Sequence, residues 1–189
     1  MKRIFLLLFV LASLYTPAIF AQAPPPVLPS KDAQEAPYLQ HRELPAFNIQ
    51  LLDSATDFNT YDIPKGKPIV IMNFMPDCEH CQKLIEKLLK GMDTLKNIRF
   101  YLISPMEIAD IRKFANKFHI DQYKNIVIGR DKNGFGPSFY MIRFVPFLAL
   151  YDKNKNLVES FENSVEVKTL AAAAKKKGIP TTEKKALGR

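Results

Sequence analysis

Two cysteines separated by two residues are the clearest candidates for chemistry in this sequence. They lie in the motif Cys78-Glu79-His80-Cys81, and the 189-residue chain has no other cysteine. The motif follows an apolar run at 69–75 and opens a segment with helical periodicity. A cysteine at a helix N-terminus has its thiolate stabilised by free N–H groups and the helix dipole, and a cysteine one turn later can close a disulfide onto it. This placement predicts a redox-active cysteine pair.

The two residues inside the motif could tune the reactivity of the pair in opposite directions. A protonated His80 would favour the thiolate of Cys78, whereas an ionised Glu79 would disfavour it. The sequence leaves the net direction open.

Two other roles for the cysteines are weaker. A structural zinc site needs four ligands, and only His41, His80 and His119 could join the cysteines, with His41 outside the predicted domain. No metal is therefore predicted. A purely structural disulfide would close a very small loop and add little stability. Redox chemistry is the favoured interpretation.

The elements that must position the motif alternate between strands and helices. Strands are predicted at 45–52, 57–63, 69–75, 99–104, 126–128, 147–151 and 157–161. Helices are predicted at 78–92, after a capping box of Ser104, Pro105 and Glu107, and after a cap at Asn163 and Glu166. Strands joined through helices imply parallel pairing, and the last hairpin adds an antiparallel edge. The order predicts a three-layer α/β domain.

The positive charge of the chain is concentrated outside that domain. The net charge is +8, of which residues 1–21 carry +2 and residues 165–189 carry +5, so residues 22–164 carry only +1. Nucleic-acid binding requires a basic surface on the folded body. The distribution therefore predicts no nucleic-acid partner.

The beginning of the chain has the pattern of an export signal. Lys2 and Arg3 precede an apolar stretch at 4–14, and small residues follow up to Ala21. We predict a signal peptide at 1–21, with an uncleaved membrane anchor as the alternative. Seven of the fourteen prolines lie in the first 45 residues, which predicts a proline-rich spacer at 22–44. A domain at 45–177 and a basic tail at 178–189 complete the chain, and the tail is either solvated or docked on anionic lipid.

Three segments resemble the thioredoxin superfamily, and more narrowly its exported TlpA-like, redoxin-domain members. Residues 45–53 and 65–74 are similar to the family's entry hairpin and first central strand. The Cys78–Cys81 motif is similar to its active site, and residues 145–152 are similar to its cis-proline loop. The resemblance implies a thioredoxin-like fold: a mixed sheet with an N-terminal β-hairpin extension and helices on both faces. It also implies that Pro146 faces the cysteines in a cis peptide bond and that Val145 pairs with a substrate strand.

The function implied is that of an exported thiol–disulfide oxidoreductase in the periplasm or outside the cell. Cys78 would attack a substrate disulfide and Cys81 would resolve the mixed disulfide, with no cofactor besides the pair. Reduction of disulfides in envelope proteins is favoured, with oxidation of their dithiols as the alternative direction, and a membrane electron donor and a monomeric state are expected. The alternatives are a non-catalytic thioredoxin-like binding module with a structural disulfide and a thiol peroxidase, although Met75 replaces the threonine that peroxiredoxins place three residues before their reactive cysteine.

The sequence departs from thioredoxin at positions that handle protons and substrate. Met72 occupies the place of a buried acid six residues before the first cysteine, Phe147 replaces the usual threonine after the cis-proline, and the chain has no tryptophan. Glu79, His80 or water would then have to transfer the proton.

Overall fold

The computed structural model describes residues 35–180, which form seven strands and six α-helices. The strands are β1 Asn48–Leu51, β2 Asp57–Asn59, β3 Ile69–Asn73, β4 Arg99–Ser104, β5 Ile126–Arg130, β6 Phe147–Tyr151 and β7 Leu157–Glu162. The helices are α1 Pro37–Gln40, α2 Glu79–Lys90, α3 Met92–Leu95, α4 Ile108–Lys117, α5 Phe135–Tyr140 and α6 Val167–Ala173. The predicted signal peptide, most of the spacer and the last nine residues lie outside this range.

All seven strands belong to one mixed sheet in the order β2-β1-β5-β4-β3-β6-β7. The central pairs β3–β4 and β4–β5 are parallel because α2 and α4 connect them, whereas the pairs involving β1 and β6 are antiparallel. The three-layer fold class with an N-terminal hairpin and helices on both faces is confirmed. None of the helices within 35–180 has the length and hydropathy needed to cross a membrane.

One side of the sheet, here called the helical face, is covered by α2, α4 and α6. Leu84, Ile85 and Leu88 of α2 recur at helical spacing and are buried on this side with Phe114 of α4 and Leu170 of α6. Central strand residues such as Val70 and Met72 complete the cluster. The amphipathic pattern of the sequence therefore corresponds to one real face of the domain.

The opposite side, here called the aromatic face, is covered by the short helices α1 and α5. Rings from both helices meet Phe147 of β6, with centroid distances of 5.5 Å for Tyr38–Tyr140 and 5.3 Å for Tyr140–Phe147. Helix α5 is not predicted from the sequence, because it has only six residues and contains Gly136 and Pro137, which disfavour a helix. This helix provides much of the second layer.

The predicted capping box before α4 is wrong. Helix α4 begins at Ile108 with Glu107 as its N-cap residue, and Ser104 is instead the last residue of β4. Ser104 pairs with Arg130 in the parallel ladder, and Glu107 forms an ion pair with the same arginine at 2.5 Å. Strand pairing thus extends the sheet through the residue that local sequence assigned to the helix.

Helix α6 begins where the cap was predicted, but the predicted capping hydrogen bonds are not formed. Glu166 is the N-cap residue, but its side chain makes no capping hydrogen bond and pairs with Lys87 at 2.7 Å. Asn163 has a φ of 63° and lies in the turn that follows β7. Neither side chain forms the predicted hydrogen-bonded cap.

Residues just before and just after the predicted domain in the sequence are packed against its folded part. Residues 37–40, assigned to the spacer from sequence, form α1. Glu43 makes a bridge with Asn156, and Gly178, assigned to the tail, donates its N–H to Asp152 Oδ2 at 2.9 Å. The folded unit therefore extends beyond 45–177 at both ends.

Candidate active site

Cys78 occupies the N-cap position of α2. Its φ and ψ of −73° and 116° are extended, and its Sγ accepts a hydrogen bond from the backbone N–H of Cys81 at 3.3 Å. The carbonyl of Cys78 accepts from Gln82 N–H at 3.0 Å, as the first helical hydrogen bond. The sulfur therefore lies among the free N–H groups of a helix N-terminus, where a negative charge is stabilised.

Cys81 lies one turn further and has the opposite environment. It is 0% exposed and packs in the cluster of the helical face with Phe74 and Leu84. Burial, and secondarily its hydrogen bond with the Cys78 thiol, raise the pKa of Cys81 to about 12. Cys78 is half-buried, and both residues are free thiols in the structure. The pair thus combines an accessible sulfur with a shielded one.

The loop before β6 supplies the third part of the site. The Val145–Pro146 peptide bond is cis, as the sequence resemblance implies. The Cys78 thiol donates to the carbonyl of Val145 at an Sγ–O distance of 3.8 Å. Pro146 is buried, and its carbonyl accepts from Asn163 N–H at 2.9 Å, which fixes the loop to the turn after β7. The structure therefore places Val145 beside Cys78.

Glu79 and His80 are exposed in the first turn of α2. The Glu79 carboxylate pairs with Lys83 at 2.6 Å along the helix. That hydrogen bond and the charge of Lys83 hold the pKa of Glu79 below its usual range. Glu79 is therefore ionised at neutral pH, but its charge is shared with a lysine on the outer surface of the helix. A tuning role for these two residues stays a prediction.

A buried polar residue near the site was missed by the sequence analysis. Met72 points into the helical face, and the next residue, Asn73, ends β3 with its side chain buried on the opposite side. Asn73 pairs across the sheet with Phe147, directly after the cis-proline. An asparagine inside the otherwise apolar run at 69–75 was the available signal.

Two recesses flank the segment that leads to Cys78. One is a cleft of about 430 Å³ between Pro76 and α4. Gln82 lines this cleft, and its side chain donates to Pro76 O at 2.8 Å and accepts from Lys117 Nζ at 2.8 Å. The other is a pocket of about 210 Å³ that lies on the side of Val145. Two concave surfaces therefore lie beside the segment that carries Cys78.

The possible metal-ligating side chains within 35–180 do not form a metal site. No group of three His, Cys, Asp or Glu side chains in this range lies close enough together to hold a metal ion.

Comparison with known proteins gives matches to solved structures. No protein-family model matches the sequence, and no curated protein matches it. A secreted disulfide oxidoreductase of Mycobacterium tuberculosis, described as homologous to E. coli DsbE, is 18% identical with a TM-score of 0.56, and the match covers 68% of this chain and 93% of that one. DsbF of M. tuberculosis is 19% identical with a TM-score of 0.58, over 71% and 94% of the two chains.

A further match comes from another bacterium. The thioredoxin domain of a thiol–disulfide oxidoreductase from Bacteroides vulgatus is 21% identical with a TM-score of 0.55, covering 69% of this chain and 91% of that one. At these identities the likeness concerns the backbone arrangement and its order of elements. The described part of this chain therefore has the thioredoxin-like fold that these oxidoreductases share.

Proposed function

We propose that the protein is a thiol–disulfide oxidoreductase that works through Cys78 and Cys81. The observation that carries the proposal is the contrast between the two sulfurs. Cys78 caps a helix N-terminus and is partly accessible beside Val145, whereas Cys81 is buried with a pKa raised to about 12. One thiol is thus suited to attack a substrate, and the other is protected until the first has reacted.

The reaction proceeds in two exchanges. The Cys78 thiolate attacks one sulfur of a substrate disulfide, and the other substrate sulfur leaves as a thiolate that takes a proton from solvent. Cys81 then loses its proton and attacks Cys78 Sγ, which expels the second substrate thiolate. Two electrons pass from the protein to the substrate, and the protein is left with a Cys78–Cys81 disulfide that an external dithiol must reduce again.

The setting we propose is outside the cytosol. The basic and apolar leader at 1–21 is typical of an export signal, and one structural match is described as secreted. There the protein would act as a monomer that reduces disulfides of envelope proteins, with electrons supplied by a membrane donor. N-terminal sequencing of the protein isolated from its host would find a start near Gln22 if the signal peptide is removed, and at Met1 if it remains as an anchor.

The activity is tested with purified protein, a small disulfide and an excess of a dithiol. The native protein should accelerate reduction, and Cys78→Ser should abolish the acceleration because the attacking sulfur is lost. Cys81→Ser should instead accumulate mixed disulfides at Cys78. Full activity in Cys78→Ser contradicts the proposal. A Cys78–Cys81 disulfide that resists reduction and traps no partner supports the non-catalytic binding module instead.

A further inference from the structure

The end of the sheet opposite the active site carries a concentration of positive charge. Strands β3, β4 and β5 are parallel and begin at this end, where antiparallel β6 finishes, whereas Cys78 follows the other end of β3. Six exposed lysines beside these strand ends and after α6 define what we call the basic end: Lys65, Lys67, Lys124, Lys153, Lys175 and Lys177. The net charge of only +1 for residues 22–164 therefore conceals an uneven distribution.

Contacts between separate segments bring these lysines together. Gly66 N–H donates to Lys153 O at 2.9 Å, which joins the turn before β3 to the turn after β6. Lys153 and the lysines after α6 line one recess of about 230 Å³, and Lys67 and Lys124 line another of about 210 Å³. The lysines thus come from distant parts of the sequence, and folding gathers them at one end.

Few acidic groups balance the charge of the basic end. None of its six lysines forms an ion pair with a carboxylate among residues 35–180. Asp152 lines the recess beside Lys153, but its carboxylate already accepts three backbone N–H groups. Glu43 and Asp62 line a third recess together with Lys65, so the excess of positive charge lies mainly around Lys153 and Lys124. Such a cluster is complementary to an anionic partner.

The width of the basic end indicates an extended anion. Lys124 precedes β5 and Lys153 follows β6, and these strands are three positions apart in the sheet. Because neighbouring strands are about 4.8 Å apart, the two positions are separated by about 14 Å across the sheet. A single phosphate or carboxylate group cannot contact lysines at both positions. The arrangement therefore fits a surface that presents many anionic groups.

Two exposed apolar residues lie next to these lysines. Tyr61 is 77% exposed and lines the same recess as Lys65, and Ile179, which follows Lys177 by two residues, is 46% exposed. Tyrosine is favoured where a bilayer meets water, and aliphatic side chains enter the boundary between headgroups and acyl chains. A bilayer can therefore match both the charges and the apolar groups, whereas a nucleic-acid duplex presents its phosphates without an apolar layer.

We propose that the basic end docks on the surface of a bilayer that contains anionic phospholipids. The lysines lie against the lipid phosphates, and Tyr61 and Ile179 contact the interface between headgroups and acyl chains. The nine residues that follow Pro180 carry three further bases against one acid, which extends the same positive charge. The inference is independent of the proposed redox reaction, because none of these residues belongs to the cysteine site.

The test measures binding of the chain from Gln22 to Arg189 to vesicles that can be sedimented. This chain lacks the apolar stretch of the leader, which could itself insert into a bilayer, and it keeps residues 35–180 with the complete sheet. Vesicles of phosphatidylcholine are compared with vesicles that also contain phosphatidylglycerol, in about 0.1 M NaCl. The anionic vesicles should bind more than about 100-fold more tightly, and about 0.5 M NaCl should remove most of this preference.

A triple variant assigns the binding to the basic end. It combines Lys153→Gln, Lys175→Gln and Lys177→Gln, three exposed lysines without ion pairs among residues 35–180. Since each lysine near an anionic surface contributes about fivefold, affinity for the anionic vesicles should fall about 100-fold.

The matched control removes the same charge from the part of the domain nearer to Cys78. It combines Lys83→Gln, Lys113→Gln and Lys132→Gln, whose lysines are also on the surface. This variant should change the affinity by less than about threefold, because these lysines lie away from the docked surface.

A fluorescence comparison tests the same surface without removing a charge. The chain has no tryptophan, so Tyr61→Trp and Phe144→Trp each introduce a single reporter at an exposed aromatic position. Tyr61 lies at the basic end, and Phe144 precedes Val145 at the active site. Brominated lipids in the anionic vesicles should quench the emission of Tyr61→Trp and leave that of Phe144→Trp unchanged. This measurement remains decisive even if a triple variant does not fold.

Several results would overturn the inference. These are equal binding to the two kinds of vesicle, equal losses in the two triple variants, and quenching of Phe144→Trp as strong as that of Tyr61→Trp. A DNA duplex that binds as tightly as the anionic vesicles at the same salt concentration would show a general polyanion surface and overturn the bilayer as the partner.

Discussion

The two faces of the central sheet are built from different chemistry. The buried cluster of the helical face contains aliphatic, methionine and phenylalanine side chains together with Cys81, and its one neighbouring tyrosine, Tyr123, is only partly buried. The cluster of the aromatic face includes Tyr101, Tyr140 and Tyr151, and Asn73 is buried on the same side. The helical face therefore provides a dry environment that keeps one thiol protonated, whereas the aromatic face provides polar groups near the cis-proline loop.

The largest difference should appear in the reactivity of the two thiols, because the dry helical face raises the pKa of Cys81 to about 12. At pH 7 iodoacetamide should alkylate Cys78 more than about 100-fold faster than Cys81, since the thiolate is the nucleophile. In the Cys78→Ser protein the slow rate at Cys81 should rise about tenfold per pH unit towards pH 11. Peptide mass mapping measures both rates, and similar labelling of the two thiols at pH 7 would contradict a dry environment.

The next effect concerns phenylalanine side chains on the two faces. Phe74 is fully buried on the helical face with its ring 4.6 Å from Phe114, so Phe74→Ala should lower the free energy of unfolding by about 3–5 kcal/mol. Phe135 on the aromatic face is half-buried and stacks on Phe47 at 4.9 Å, so Phe135→Ala should cost about 1–3 kcal/mol. Chemical denaturation measures both values. Equal losses would mean that α5 is as tightly packed as the helical face.

The smallest effect concerns the buried hydroxyl pair of the aromatic face. Tyr140 Oη and Tyr151 Oη lie 2.8 Å apart, and burial raises the pKa of both phenols, so both stay protonated. Tyr151→Phe leaves the Tyr140 hydroxyl unpaired and should lower the free energy of unfolding by about 1–3 kcal/mol. The double change to phenylalanine should cost less than the sum of the single changes. Strict additivity in this double-mutant cycle would show that the hydroxyls do not depend on each other.

The contrast between the faces also explains how far the sequence could predict the molecule. The helical face could be predicted from the sequence because α2 and β3 have long, regular hydrophobic patterns, and the Cys78 motif lies between them. Helix α5 was missed, because it has only six residues and contains Gly136 and Pro137. Its position depends on ring packing between residues far apart in the chain, which local periodicity does not encode.

The site was predictable to a similar degree. Spacing identified Cys78 and Cys81, and resemblance placed the cis bond before Pro146. The pairing of Glu79 with Lys83 follows from their i,i+4 spacing. The burial of the Asn73 amide depends on the close approach of Gly136 from another element, so it became visible only in three dimensions.

The turn between β6 and β7 lies at the end of β6 that is far from the active site. Leu44 N–H donates to Lys155 O and Ile179 N–H to Leu157 O, so both ends of the folded unit are attached at this turn. Strand β6 runs from Phe147, beside the cis-proline, to Tyr151, which precedes the turn, a length of about 13 Å. A tether attached to either end of the folded unit would therefore hold the domain at the end of β6 opposite the cysteines. Cys78 would then face away from the point of attachment.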